Sequence, residues 1–149
     1  MMSKRSILYL DDEAICLDVF HHLFSDEYDI RIAQTCAEAR CALLERPADI
    51  IISDQTMPGL NGTDFLSEVA GAYPQSIRIL LTGSICVGRA LPEICSGIVN
   101  IFISKPWKEA DMRQALHRAS LDIQLRPARS VLDENLSQSS RAVSGSVTT

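Results

Sequence analysis

The sequence predicts an α/β domain built on a doubly wound parallel sheet of five strands. Short apolar runs of strand length alternate with amphipathic stretches of helix length, which is the pattern of parallel strands joined by crossover helices. The third run, residues 50–53, is apolar at its central positions, as a strand covered on both faces by helices must be. A chain of 149 residues, 46% of them hydrophobic, is long enough for one domain with a real core.

The five strands are predicted from short apolar runs that are bounded by polar or turn-forming residues. In chain order they cover residues 6–10, 29–33, 50–53, 77–81 and 100–103. The five helices are predicted at about residues 13–24, 35–47, 63–73, 87–96 and 108–125.

Local signals support these helices. Thr35 and Glu38 have the spacing of a capping box at the start of the second helix, which ends near Pro47. The third helix stops at Pro74. Pro92 lies inside the fourth helix, and we expect it to shorten or kink that helix because proline removes a backbone donor and crowds the preceding turn. The apolar stripe of the first helix, spaced i, i+3, i+4 and i+7, comprises Cys16, Val19, Phe20 and Leu23.

The domain is predicted to cover residues 1–125, followed by a flexible C-terminal tail or the start of a linker at residues 126–149. Beyond Pro127 the composition changes, and residues 137–149 are rich in Ser and Thr with almost nothing to bury.

Charge, hydropathy and cysteine content restrict the partners. A net charge of -5 with no Lys/Arg patch argues against direct nucleic-acid binding. No segment approaches the roughly 20 apolar residues that span a bilayer, so we expect a cytoplasmic location and no membrane partner. The cysteines are odd in number and form no C-x-x-C pair, which favours buried reduced thiols at Cys16, Cys36, Cys41, Cys86 and Cys95.

Three aspartates mark the predicted carboxyl ends of two strands. Asp11 and Asp12 follow the first strand, and Asp54 follows the third. If these strands are neighbours in a parallel sheet, the carboxylates converge in the crevice where open α/β sheets bind their ligands. Close carboxylates repel each other, and a hard divalent cation with a preference for oxygen removes the conflict. The sequence therefore predicts a site for Mg²⁺, with Mn²⁺ as an alternative.

Two further polar residues follow neighbouring strands on the same side. Thr82 comes after the fourth strand and Lys105 after the fifth. An aspartate beside a metal can attack phosphorus, and a cation and a hydroxyl suit the charge that then develops on the phosphoryl oxygens. Helix capping and solvated loops are the alternative interpretation of the three aspartates, with Asp12 as a capping residue. The matching positions of Thr82 and Lys105 favour a phosphoryl site.

Over roughly residues 5–122 the chain resembles the receiver domain of two-component response regulators. The resemblance depends on motifs that are specific jointly and in this order: Leu10-Asp11-Asp12-Glu13, Asp54 followed by Met57-Pro58-Gly59 and Gly62, Leu81-Thr82-Gly83, and Phe102-Ile103-Ser104-Lys105-Pro106-Trp107. It implies a flavodoxin-like fold with strand order 2-1-3-4-5 and helices on both faces of the sheet.

The resemblance also implies a role for each site residue. Asp54 would accept a phosphoryl group from a sensor histidine kinase or a phosphotransfer protein. Asp11, Asp12, Asp54 and the Thr56 carbonyl would hold Mg²⁺. Lys105 would bind phosphoryl oxygens, the Lys105–Pro106 peptide bond would be cis, and Thr82 and Phe102 would form a switch pair.

Such a chain would be a phosphorylation-controlled switch and not a conventional enzyme, able to phosphorylate itself from a small phosphodonor and to dephosphorylate itself. Its output surface for a downstream protein, or for a second copy in a homodimer, would be the face formed by the fourth helix, fifth strand and fifth helix. Thr56 and Ser84 occupy positions that tune dephosphorylation in the family.

Three alternatives remain at this point. A phosphatase of the haloacid dehalogenase type also uses a strand-end aspartate, but it needs a second Asp where this chain has Thr56. A phosphorylation-independent interaction module would keep the fold and not the chemistry, and the full set of acids, Thr and Lys disfavours it. The chain is also compatible with the receiver portion of a longer regulator with an output module.

Overall fold

The structure is a computed structural model that describes residues 3–83 and 96–126. Its strands are β1 (Ser6–Leu10), β2 (Asp29–Ala33), β3 (Ile50–Asp54), β4 (Ile77–Gly83) and β5 (Ile101–Lys105). Its helices are α1 (Ala14–Phe24), α2 (Cys36–Glu45), α3 (Gly62–Ala72) and one over residues 109–126, here called the 109–126 helix. None of these helices is both long and apolar enough to cross a bilayer.

The strands form one sheet in the order β2-β1-β3-β4-β5, and every pair is parallel. The predicted fold class and strand order are therefore confirmed. Side chains alternate between the two faces of each strand, and each face has its own core. On one face, α1 and the 109–126 helix cover strand residues such as Ile7, Tyr9 and Ile52. On the other face, α2 and α3 cover residues such as Leu8 and Ile51.

Three strands continue beyond their predicted ends. β3 includes Asp54, β4 includes Thr82, and β5 runs on to Lys105. Pairing persists because the backbone ladder does not depend on side-chain polarity: Thr82 pairs with Ser104, and Gly83 pairs with Lys105. The polar residues predicted to follow these strands in fact belong to them: Asp54 and Lys105 are the last residues of β3 and β5, and Thr82 is the last but one of β4.

The predicted apolar stripe of α1 is wrong in phase. The helix buries Leu17, Phe20 and Phe24, whereas Val19 is 46% exposed and Cys16 is only partly buried. The predicted stripe and the set of residues that is actually buried both contain Phe20 and have helical spacing, so the sequence pattern alone does not distinguish them. Aromatic packing decides, because the Phe20 and Phe24 rings lie 5.0 Å apart at an interplanar angle of 50°.

Local predictions had mixed outcomes. Thr35 caps α2 by accepting a hydrogen bond from the backbone N–H of Glu38, as predicted.

The prediction of buried cysteines is wrong for Cys41, which is exposed, and Cys16 and Cys36 are partly buried free thiols. Burial raises the pKa of the Cys16 thiol to about 11, which keeps it protonated near neutral pH. Cys86, Cys95 and residues 127–149 of the predicted tail lie outside the described residues, as does the predicted fourth helix with Pro92 apart from its last residue. Residue 126, where the tail was predicted to begin, is the last residue of the 109–126 helix.

A buried arginine ties β4 to the turn that precedes β5. The Arg78 side chain donates to the carbonyls of Ile98 (2.7 Å), Ser76 (2.9 Å) and Gly97 (3.0 Å). Its backbone N–H donates to the Asn100 side chain at 2.8 Å. Only 6% of Arg78 is exposed, so its charge is almost fully desolvated and these carbonyls supply its hydrogen-bond partners.

We predict that Arg78→Met lowers the free energy of unfolding by about 2–4 kcal/mol, because it removes the hydrogen bonds that the guanidinium donates to several carbonyls. Arg40→Met is the matched control, since Arg40 forms an exposed pair with Glu68 at 2.7 Å, and exposed pairs contribute little to stability. Urea denaturation measures both changes. Equal effects of the two substitutions would contradict this account of Arg78.

Candidate functional site

The polar residues predicted for the site meet at one edge of the sheet, at the carboxyl ends of β1, β3, β4 and β5. Asp11 directly follows β1, and its backbone N–H still pairs with the Ala33 carbonyl of β2 at 3.1 Å. Asp54, Thr82 and Lys105 lie at the ends of the other three strands. The edge is therefore built by the sheet itself.

Asp11, Asp12 and Asp54 form a cluster of three carboxylates. Each offers one oxygen atom, and these oxygens lie within 4.8 Å of one another. Asp11 is fully buried and Asp54 is 5% exposed, whereas Asp12 is exposed to solvent. The cluster thus has two buried acids and an open side.

Lys105 lies between the two buried acids. Its Nζ is 3.1 Å from Asp11 Oδ2 and 3.2 Å from Asp54 Oδ1. The lysine side chain is 22% exposed, so its charge is only partly hydrated. One ammonium therefore neutralises part of the negative charge of two carboxylates.

The Tyr9 hydroxyl gives Asp11 another donor. Tyr9 is fully buried in β1, and its hydroxyl donates to Asp11 Oδ2 at 2.8 Å. The backbone N–H of Glu13 donates to the other oxygen, Oδ1, at 3.0 Å. Burial and the charge of Asp11 raise the pKa of Tyr9, so the phenol remains protonated and able to donate.

The site shifts the acid–base equilibria of its groups in opposing ways. Burial raises the pKa of Asp54, and the nearby Asp11 and Asp12 charges add to the rise, although Lys105 acts against it. Burial alone lowers the pKa of Lys105, but the hydrogen bond to Asp11 and the charges of Asp11 and Asp54 outweigh burial and raise it. The site therefore favours the protonated, charged form of Lys105, and it disfavours the ionised form of Asp54 relative to an exposed aspartate.

Thr82 and Phe102 lie on adjacent strands. Thr82 is 2% exposed, and its hydroxyl donates to the Gly83 carbonyl at 3.3 Å, which is a long hydrogen bond. Phe102 is partly buried and packs against the core under α2 and α3. In the β4–β5 ladder, Leu80 pairs with Phe102 and Thr82 with Ser104.

The loop after Asp54 is anchored to the start of α3. Gln55 accepts from the Thr63 N–H at 2.8 Å and donates from Nε2 to the Thr63 hydroxyl at 3.3 Å. Asn61 caps α3 by accepting from the Asp64 N–H at 2.9 Å. Thr56 lies exposed in this loop, and its assignment as a carbonyl ligand stays a prediction.

Gly62 allows α3 to begin against the backbone of the candidate acceptor. A Cβ atom at this position would overlap the Asp54 carbonyl oxygen and lie 2.9 Å from Gln55 Cα. The Gly62 N–H also donates to the Gln55 carbonyl at 2.9 Å. Close approach of two backbones therefore requires glycine here.

The donor set suits a small hard cation. Carboxylate oxygens are the ligands that Mg²⁺ prefers, and it is usually bound through one or two carboxylates with the remaining positions left to water and phosphate. Two buried acids with one exposed acid on an open side match that requirement. Mn²⁺ shares this ligand preference.

Sequence reasoning missed two contributors to the site, Tyr9 and Gln55. Tyr9 precedes Asp11 by two residues, and side chains two apart on a strand share a face, so a tyrosine among aliphatic strand residues was a usable signal. The Gln55 contact depends on the path of the loop to Thr63, which no local pattern specifies. The cis Lys105–Pro106 peptide bond, in contrast, is present as predicted.

The chain belongs to the response regulator receiver domain family, which matches residues 7–117. It is 31% identical to the hydrogenase transcriptional regulatory protein HoxA of Cupriavidus necator, in an alignment of 148 residues that covers 91% of this chain and 30% of HoxA. The chain spans 19–35% of the length of the curated relatives it matches.

Solved structures agree with this assignment. The signal receiver domain of an HD domain-containing protein from Pseudomonas fluorescens Pf-5 superposes with a TM-score of 0.77 at 27% identity, covering 87% of this chain and 96% of that one. A response regulator receiver domain protein from Clostridium thermocellum gives a TM-score of 0.75 at 27% identity, covering 81% and 98%.

We predict that Gly62→Ala lowers the free energy of unfolding by about 1–3 kcal/mol, because the new methyl group must displace the backbone of Asp54 and Gln55. Gly71→Ala, in the same helix, is the control, since nothing lies within 4 Å of its added Cβ and alanine gains about 0.5–1 kcal/mol in a helix. Thermal and urea unfolding should therefore give opposite signs. A stabilising Gly62→Ala would contradict the close approach.

We predict that Asp54→Asn raises the free energy of unfolding by about 1 kcal/mol at neutral pH without divalent cations, because it removes a buried charge. The raised pKa of Asp54 gives the pH dependence. The folded state binds the proton more tightly than the unfolded state, so wild-type stability falls as pH rises from the ordinary Asp value through the raised one. The difference between variant and wild type should therefore shrink on acidification. Urea titrations over a pH series check this; a destabilised variant would refute it.

Proposed function

We propose that this receiver domain accepts a phosphoryl group on Asp54 from the phosphohistidine of a sensor histidine kinase or a phosphotransfer protein. The observation that carries the proposal is the position of Asp54, a buried strand-end carboxylate 3.2 Å from Lys105 and clustered with Asp11 and Asp12. Family membership supports the reaction class.

In the proposed step, an oxygen of the ionised Asp54 carboxylate forms a bond to phosphorus while the N–P bond of the phosphohistidine breaks. The electron pair of that bond stays on the imidazole of the donor. Lys105 lies next to Asp54 Oδ1, where its ammonium stabilises the negative phosphoryl oxygens. Asp54 must be ionised to attack, and the lysine favours that form.

Asp11, Asp12 and Asp54 would hold Mg²⁺, together with the Thr56 carbonyl. When bound, the cation neutralises negative charge on the carboxylates and the phosphoryl oxygens. The cluster of three carboxylate oxygens within 4.8 Å supports this assignment, and Mn²⁺ would satisfy the same ligands.

Thr82 and Phe102 are proposed to report the phosphoryl state. Within residues 3–83 and 96–126, the one hydrogen bond that the buried Thr82 hydroxyl donates is the long one to Gly83, so the hydroxyl can turn toward a new acceptor at Asp54. Movement of Thr82 would change the space behind Phe102 on the adjacent strand, and so shift a two-state equilibrium at the face formed by β5 and the 109–126 helix. That face would bind a downstream protein or a second copy of this chain.

The chain is further proposed to be the receiver portion of a longer regulator, with the receiver at residues 1–125 and a tail or linker at 126–149. The length of the curated relatives favours this, because the chain matches only 30% of HoxA. We also propose a cytoplasmic location, which family membership alone supports. The net charge of -5 gives no support for direct contact with nucleic acid.

The proposal predicts that acetyl phosphate with Mg²⁺ adds one phosphoryl group to the protein, as measured by intact-mass spectrometry and by peptide mapping to Asp54. Asp54→Asn should abolish labelling because the nucleophile is lost, and a chelator should do the same to the wild type. Asp26→Asn, at an exposed aspartate in the turn between α1 and β2, is the matched control and should label normally. Labelling of Asp54→Asn to the wild-type extent would overturn the assignment.

A further inference from the structure

The Asp11 carboxylate receives three hydrogen bonds in the described structure, and two of them reach the same oxygen. Asp11 Oδ2 accepts from the Tyr9 hydroxyl at 2.8 Å and from Lys105 Nζ at 3.1 Å, while Oδ1 accepts from the Glu13 N–H at 3.0 Å. An ionised carboxylate has about four lone-pair sites. Three are thus taken, and the site that remains is on Oδ1.

The three donors differ in their freedom to move. The Glu13 donor is backbone, and the Tyr9 ring is fully buried with its centroid 4.9 Å from that of Phe20 in an edge-on contact. Lys105, in contrast, is a flexible side chain that Asp11 shares with Asp54 at 3.2 Å. When Lys105 turns toward a phosphoryl group on Asp54, Asp11 loses the one donor that can leave.

Losing a donor is costly for a fully buried carboxylate, because an unsatisfied charged group is desolvated without compensation. The Tyr9 hydroxyl keeps Oδ2 partnered after Lys105 has moved. Phenylalanine would fill the same volume between β1 and Phe20, so packing alone does not account for the hydroxyl. Its contact in the site is with Asp11, a residue proposed to hold the cation.

We propose that Tyr9 is a positioning residue of the phosphoryl-transfer site: its hydroxyl fixes the Asp11 carboxylate for Mg²⁺ and frees Lys105 to bind the phosphoryl group. This inference rests on the proposed function and adds to it a residue in the strand interior. Tyr9 touches neither the phosphoryl group nor the cation. It acts through Asp11, in the way that outer hydrogen bonds orient the ligands of metal sites.

The test is Tyr9→Phe, which removes one hydroxyl and keeps the ring. Mg²⁺ titration is followed by fluorescence of Trp107, the single tryptophan of the chain, which lies two residues after Lys105 with its ring centroid 6.3 Å from that of Phe20. The amide NMR signal of Glu13, whose N–H donates to Asp11, gives an independent reading. We expect Mg²⁺ binding to weaken about tenfold or more, the effect typical of removing an outer hydrogen bond at a metal site.

Tyr28→Phe is the matched control, because Tyr28 belongs to the same core cluster as Tyr9 and loses the same hydroxyl. We expect its Mg²⁺ affinity to equal that of the wild type. A second reading uses acetyl phosphate at saturating Mg²⁺. Tyr9→Phe should then still label more slowly than the wild type, since Lys105 is now needed at Asp11, whereas Tyr28→Phe should label normally.

Different results overturn different claims. If Tyr9→Phe only lowers the urea midpoint and binds Mg²⁺ like the wild type, Tyr9 has a structural role and the inference fails, while the proposed function stands. If the wild type binds no Mg²⁺ by either reading, the cation assignment and the inference fail together. Weaker Mg²⁺ binding in Tyr9→Phe but not in Tyr28→Phe supports the inference.

Discussion

The bridge from Lys105 to Asp11 and Asp54 is the interaction on which the site depends. Two buried carboxylates next to a third would repel each other strongly in a low-dielectric environment, and one would take up a proton. An ammonium at 3.1 Å from one and 3.2 Å from the other reduces that repulsion. The contact joins residues 94 positions apart, and it exists because the order of the parallel strands brings β1, β3 and β5 to one edge.

Burial of apolar side chains in the sheet offsets the free-energy cost of burying charged groups at the site. Both faces of the sheet are covered, so the central strands carry almost only apolar side chains, and each face has its own hydrophobic cluster. Burial of apolar surface is the main source of folding free energy, and here it lies directly beneath the carboxylates. Asp54 and Lys105 are the last residues of β3 and β5, and Asp11 directly follows β1. At these positions backbone pairing still orders the chain, and the crevice in which such sheets bind ligands begins.

The site combines fixed and movable parts. The loop after Asp54 is held at the start of α3 by hydrogen bonds to the side chains of Gln55 and Asn61 and by backbone contact at Gly62. Lys105 and Thr82 have looser contacts: the lysine is shared between two acids, and the Thr82 hydroxyl has one long hydrogen bond within the part of the chain that the structure describes. For the proposed role of Asp54 as acceptor, this arrangement suits a phosphorylation switch, because the partners of the acceptor must change position when charge is added.

The sequence by itself determined the α/β class, the five strands, and the acids, threonine and lysine at their carboxyl ends, because short apolar runs and helical patterns record burial and the polar residues after those runs mark the strand ends. The strand order followed from the resemblance to receiver domains. Tertiary structure decided the rest. The phase of α1 depended on which aromatic rings packed around Phe20, and the strands reached Asp54, Thr82 and Lys105 because backbone pairing ignores side-chain polarity. The Tyr9 contact with Asp11, and the sharing of one lysine by two acids, depend on distances between side chains, and a local pattern contains no such distances.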